Sequence, residues 1–203
     1  MREKGFTLIE MIVVLAVVAI LAAILTPVIF RNIEEARVTR TTSEAKTIAS
    51  GIVSFYKDVG IWPADKNANK RLEESTDYTI LYTQEGTVPT TTYTEWTTGA
   101  PGGGADSFDN HLRTNAAGYA TTGKRAWRGP YVTQLTEDQW GYKYYCNVLV
   151  GYYTTGNYTT MYVISAGSNR IIDTDTKAST PTSFMELQGD DIGFEVYAKK
   201  KGS

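Results

Sequence analysis

The 203-residue chain is poor in the side chains that most enzymes need, with one cysteine and one histidine. Cys146 has no partner for an internal disulfide. It lies between Tyr145 and Asn147 in an aromatic, strand-like run and reads as a small core residue. With His111 alone and no cysteine cluster, most zinc sites lack their ligands, and little supports a Ser-His-Asp triad. Excess charge is missing too: 20 basic and 22 acidic side chains leave a net −2, with no obvious block of either sign. No nucleic-acid partner is expected from that balance. Gly118 to Lys124 spells G-x-x-x-x-G-K, but Arg125 stands where a phosphate loop needs Ser or Thr and no apolar strand precedes it. Between Thr87 and Thr122 charges are few while Thr and Tyr abound, as on an exposed surface rather than in a catalytic centre.

Charge is scarcest from Phe6 to Phe30, where Glu10 is the only formally charged side chain. At ~1.5 Å per residue a helix of this length crosses a bilayer core of ~30 Å. Arg2 and Lys4 precede it, which fits a cytoplasmic N-terminus and an exported remainder. A secretory signal would end in small residues at a cleavage site, whereas this run leads into Pro27, Val28, Ile29 and Phe30. Glu10 is the anomaly, since a carboxylate inside a membrane span costs ~2.5 kcal/mol or more and calls for a partner. A cut between Gly5 and Phe6 would create that partner, an α-amino group one helical turn from Glu10 or on a neighbouring subunit; the alternative is a carboxylate that snorkels to the interface.

The string Lys4-Gly5-Phe6-Thr7-Leu8-Ile9-Glu10 resembles the processing site of type IV pilins and type II secretion pseudopilins. The resemblance implies that a prepilin peptidase cuts after Gly5 and methylates Phe6, and that Glu10 aids subunit docking. It also implies that Pro27 is the family's helix breaker, loosening the stalk on assembly. The implied partners are a homopolymeric filament, an inner-membrane assembly platform, other pseudopilins and the inner membrane itself.

Beyond Pro27, Ala45, Ile48, Ala49, Ile52, Phe55 and Tyr56 recur at helical spacing, while Glu44, Lys46 and Lys57 fall elsewhere. That stripe suits a helix laid on a sheet. Gly60 and Pro63 end it, so a helix is expected from about Thr7 to about Asp58, interrupted near Pro27. The boundaries that follow are a leader over 1–5, a transmembrane and assembly helix over 6–30, an amphipathic stalk over 31–60 and a head over 61–203. Within the head, an insert over about 64–125 shows no steady period, and Gly99-Ala100-Pro101-Gly102-Gly103-Gly104 reads as loop. From about Trp127, aromatic-rich strings such as Tyr142–Tyr145, Val148–Tyr153 and Tyr158–Ile164 predict a small antiparallel sheet. The expected class is therefore α+β, a long N-terminal helix on a small antiparallel sheet. The blocks Trp127-Arg128-Gly129-Pro130-Tyr131, Asp138-Gln139-Trp140-Gly141-Tyr142 and Ser165-Ala166-Gly167-Ser168-Asn169 resemble the head of the major type II pseudopilin, with Gln139 replacing its usual proline.

Asn169, Asp173 and Asp175 share one loop, and Asp190 and Asp191 precede the expected final strand, Gly193 to Tyr197. Their spacing is not an EF-hand, because Ala178 and Phe184 stand where that loop needs Gly and Glu. From the residues alone, a calcium site and a solvated acidic turn both remain open. Resemblance to the major pseudopilins, whose heads bind calcium in the corresponding loop, implies a structural calcium ion. The functional expectation is a non-enzymatic subunit of a periplasmic pseudopilus driving type II secretion, anchored in the inner membrane with its head in the periplasm. The alternatives are a type IV pilin for adhesion, motility or DNA uptake, and a membrane-anchored enzyme.

Overall fold

A computed structural model describes residues 7–63, 78–99, 104–148, 160–175 and 187–198. The chain divides into two compact units, 1–39 and 40–203.

Helix α1, Leu8–Val59, begins in the first unit and ends in the second. Thr7 and Glu10 start it with a reciprocal cap. The Thr7 N–H and hydroxyl donate to Glu10 Oε2 at 2.8 and 2.7 Å, and the Glu10 N–H returns to Thr7 Oγ1 at 3.3 Å. The interruption expected at Pro27 is absent, because α1 runs through it. A proline removes one i→i−4 bond, and next to that gap the Thr26 hydroxyl donates to the Ala22 carbonyl at 2.6 Å.

In the second unit, α1 buries Thr41, Ala45, Ile48, Ala49, Gly51, Ile52, Phe55 and Val59, the 3.6-residue stripe read from the sequence except for Tyr56, which is exposed. At Gly51 the chain comes so close that a Cβ would lie 2.6 Å from Val132 Cγ1. A larger residue would push the helix off its neighbour. Gly60, at φ 78°, caps the helix by donating its N–H to the Tyr56 carbonyl.

The stripe lies on a five-stranded sheet of order β3-β1-β4-β5-β7, with β1 Tyr78–Tyr82, β3 Gly104–Ser107, β4 Tyr145–Asn147, β5 Thr160–Ser165 and β7 Ile192–Ala198. Strand alternation sorts side chains between two cores. Leu81, Cys146, Met161 and Val163 join the α1 stripe, whereas Ile80, Tyr145, Tyr162 and Ile164 face Trp96 and Ile172 on the other side. Cys146 is thus a core residue, fully buried, with its thiol pushed well above the ordinary range by desolvation. The sheet is mixed rather than wholly antiparallel, because β3 pairs parallel to β1. Two short strands, β2 Thr90–Thr91 and β6 Ile171–Ile172, form a separate parallel pair. The insert contributes β1, β2, β3, the four-residue α2 Glu95–Thr98 and a π-helical turn Asp109–Arg113. Within that turn, buried His111 has Nε2 3.0 Å from Asp106 Oδ2 and Nδ1 2.6 Å from the Tyr119 hydroxyl, so it fastens the insert internally. The expected strand Val148–Tyr153 lies, after Val148, outside the described residues.

Candidate functional site

Two places carry the functional residues expected from the sequence. The first is the start of α1. Gly5 and Phe6 lie outside the described residues. Glu10 is described, and its Oε2 already serves the cap with Thr7, a T-x-x-E signature that the anomaly-based reading passed over. Along the following turns the apolar side chains face outward, from Leu8 at 77% exposed to Phe30 at 68%. Among the described residues this is the one helix long and apolar enough to span a bilayer. So continuous an apolar surface calls for lipid or another protein to cover it.

The second place is the acidic loop. Asn169, Asp173, Asp190 and Asp191 do come together, but largely through bonds to one another's backbone. Asp190 Oδ2 accepts from the Asn169 N–H and the Ser168 hydroxyl, both at 2.7 Å. Asp191 Oδ2 accepts from the N–H groups of Asp173 and Thr174 at 3.0 and 2.8 Å and from the Thr174 hydroxyl at 2.6 Å. Asp173 in turn accepts from Thr92 Oγ1 at 3.0 Å and from Asn169 Nδ2 at 3.3 Å. Gly189, at φ 67°, leaves room for this closure, since a Cβ there would lie 2.6 Å from Asp173 Oδ2. Asp175, half-buried, follows on the same stretch.

Each of the two central carboxylates uses one oxygen and leaves the other. Asp190 Oδ1 and Asp191 Oδ1 are buried and have no hydrogen-bond partner among the described residues. Asp191 is only 8% exposed, and its carboxyl is pushed up to about 6. Desolvation is the main cause, Asp173 adds repulsion, and the three bonds to Oδ2 work the other way. Buried, unpaired carboxylate oxygens fit a hard cation such as calcium. Against that, among the described residues no three Asp, Glu, His or Cys side chains converge as a ready metal site. A cation here would draw on backbone or Asn169 oxygen to complete its shell.

Two further clasps hold the loop and the helix to the sheet, and neither announced itself in the sequence. Buried Asp138 accepts from the N–H groups of Trp140 and Tyr142 at 2.9 and 2.8 Å and from the Ser165 hydroxyl, fixing the end of β5 where the acidic loop begins. Glu44 on α1 accepts from the Tyr144 hydroxyl at 2.8 Å and from Gln139 Nε2 at 3.2 Å. Gln139, the departure from the expected proline, therefore has a defined contact with the helix.

Residues 1–26 match the family described as "Prokaryotic N-terminal methylation motif". The chain is 40% identical over 70 residues to the fimbrial protein EcpC of Eikenella corrodens, covering 32% of this chain and 43% of that protein. It is 38% identical over 66 residues to the type IV major pilin protein PilE of Neisseria gonorrhoeae, covering 32% and 40%. A fimbrial protein of Neisseria meningitidis serogroup A is 35% identical over 82 residues, covering 40% and 48%. The chain thus spans less than half the length of these relatives. No solved structure matches.

Proposed function

We propose that this pilin-like chain is a non-enzymatic structural subunit, held by its apolar helix in the inner membrane and drawn from there into a filament. One observation carries the reading: the methylation motif over residues 1–26 overlaps a helix whose apolar side chains are exposed from Leu8 to Phe30. In a membrane, lipid covers that surface. In a filament, the helices of other copies cover it instead, so one surface serves both states. A prepilin peptidase, cutting after Gly5, supplies the α-amine that Glu10 can pair with in the assembled state.

The filament we favour is a periplasmic pseudopilus of type II secretion. Three head blocks resembling the major pseudopilin support this, together with an acidic loop whose buried Asp190 and Asp191 oxygens fit calcium. The residues that would hold the ion are Asn169, Asp173, Asp175, Asp190 and Asp191. Calcium would there supply structural cross-linking between the segment after β5 and the segment before β7. A surface pilus is the second reading, favoured by relatives named as type IV pilin and fimbrial proteins. Deleting the gene separates the two. Loss of enzyme export into the medium with cell-surface fibres unchanged supports the pseudopilus, whereas loss of shearable surface fibres with export intact supports the pilus. If neither changes, the filament reading itself is wrong.

A further inference from the structure

Charge in the second unit is polarised along α1, although the chain-wide balance hides it. No Asp or Glu occurs from residue 110 to 136, a stretch that carries Arg113, Lys124, Arg125 and Arg128. Arg113 is paired with Asp109. Lys124, Arg125 and Arg128 are exposed and have no ion-pair partner among the described residues. The fold holds them at the C-terminal end of α1. Arg125 lies over Gly60, where a Cβ would come within 2.7 Å of its Nη1. The Arg128 N–H donates to the Tyr131 hydroxyl at 2.8 Å, and the Tyr131 ring meets Phe55 edge-on at 5.6 Å. Asp58, bonded to the Tyr131 hydroxyl, is the acidic group nearby.

The opposite end exposes two acids, and Lys143 beside them has its ammonium tied to the Thr83 and Gln84 carbonyls. Gln139 and Tyr144 both bond Glu44, so the segment before them sits beside the start of the head portion of α1. Glu137 and Glu85 are exposed there, and their two segments touch, since a Cβ on Gly86 would lie 2.9 Å from the Glu137 Cβ. From Glu44 to Val59 the helix climbs roughly 22 Å.

We infer that neighbouring copies stack head to tail in the filament, with the Lys124–Arg125–Arg128 pole of one seated on the Glu85–Glu137 pole of the next. The inference rests on the filament reading. Copies drawn from one membrane keep their helices parallel, so heads in register would set like charges side by side. An axial offset of about one head brings opposite poles together instead. Such a contact is heterologous and does not close on itself, which is the geometry that propagates a fibre. Exposed charges of this kind fix register and partner choice and weaken with salt.

The test uses the complete chain in cells that carry the assembly machinery. One variant reverses the basic pole (Lys124→Glu, Arg125→Glu, Arg128→Glu), a second reverses the acidic pole (Glu85→Lys, Glu137→Lys), and a third combines all five changes. Each single-pole variant should lower the yield of sheared filament about tenfold while the membrane-inserted subunit stays at its normal level, and the combined variant should restore it. In otherwise unsubstituted filaments, Arg128→Cys with Glu137→Cys should give a ladder of disulfide-linked multimers on oxidation, with buried Cys146 out of reach. Unchanged yield in a single-pole variant, a loss that the combined variant does not restore, or monomer alone after oxidation would each overturn the stacking. So would filaments that assemble normally with a reversed basic pole but lose retention of duplex DNA, which would assign that pole to a polyanion. Absence of any filament from the unsubstituted chain would instead sink the filament reading and this inference with it.

Discussion

On the proposed reading, Glu10 has two tasks with different chemical demands. Capping α1 needs an acceptor at the third helical position, which an amide supplies as well as a carboxylate. Pairing with an α-amine in an apolar surround needs the negative charge. Glu10→Gln should therefore keep the cap and lose assembly, whereas Glu10→Ala should lose assembly and the half of the cap made by its side chain, keeping only the N–H bond to Thr7 Oγ1. Amide exchange over the first helical turn and the yield of sheared filament read the two tasks separately, and normal filaments from Glu10→Gln would show that the charge is dispensable. Asp191 poses the converse problem of a buried carboxylate. Its carboxyl is raised to about 6 from an ordinary 3.8, so the folded state binds the proton more tightly than the unfolded one. Its stabilising contribution is full below about pH 4 and is lost as pH rises through about 6, a swing of at most about 3 kcal/mol. Asp138, raised by burial, acts in the same sense. For Asp106, burial works upward, but the bonds from His111 and the Ser107 N–H outweigh it and hold the carboxyl low, so its own loss falls at more acidic pH. In chelator, the detergent-solubilised chain should melt higher at pH 5 than at pH 7, and Asp191→Asn should flatten that difference. Millimolar calcium should raise the pH 7 value towards the pH 5 one, because a cation favours the ionised carboxylate. Equal melting temperatures at both pH values, with and without calcium, would return the loop to a solvated acidic turn.

Among the elements, α1 is where sequence and structure agree most closely, and the reason is its length. A stripe repeated over several turns averages out local accidents, so Ala45, Ile48, Ile52 and Phe55 were legible as a buried face. Phe55→Ala should cost about 3 to 5 kcal/mol, since the ring is fully buried and meets Tyr119 and Tyr131 edge-on at 4.8 and 5.6 Å. Tyr56→Ala, next to it but 41% exposed, should cost far less even though its ring stacks on Trp62 at 4.2 Å. Comparable losses of melting temperature in the two variants would mean that the stripe has been assigned to the wrong face. Pro27 misled because a single missing N–H leaves the rest of the hydrogen-bond ladder of a long helix in place. The insert was illegible for the opposite reason: its elements are two to five residues long, too short for any period to show. Trp96 illustrates this, being buried by a bond from its Nε1 to the Thr174 carbonyl, a partner 78 residues away. In the acidic loop, composition revealed the cluster, but not that Asp190 and Asp191 each give one oxygen to the backbone and keep one free, which depends on how β5 and β7 come together.

For the whole molecule, the decisive question is what covers the apolar surface of α1. The side chains from Leu8 to Phe30 stand exposed along more than twenty residues, and at ~25 cal/mol per Å² no soluble state could leave that surface in water. In the proposed precursor, the formal charge carried through Lys4 would lie on the cytoplasmic side and keep the chain seated in the bilayer. On the proposed reading, the cut leaves an α-amine on Phe6, small enough to enter an apolar contact and to pair there with a carboxylate. The mature protein in filaments should therefore begin at Phe6, and the mass of its N-terminal peptide should show one added methyl group. Gly5→Val, which places a β-branched side chain at the bond to be cut, should leave the subunit in the membrane at its full mass and abolish sheared filament. The two measurements constrain each other. Filaments whose subunits retain Met1 would show that the helix assembles without the new amine, and Glu10 would then have no role beyond its cap with Thr7. Correct cleavage with assembly intact in Glu10→Ala would instead leave processing needed only to remove the charged leader.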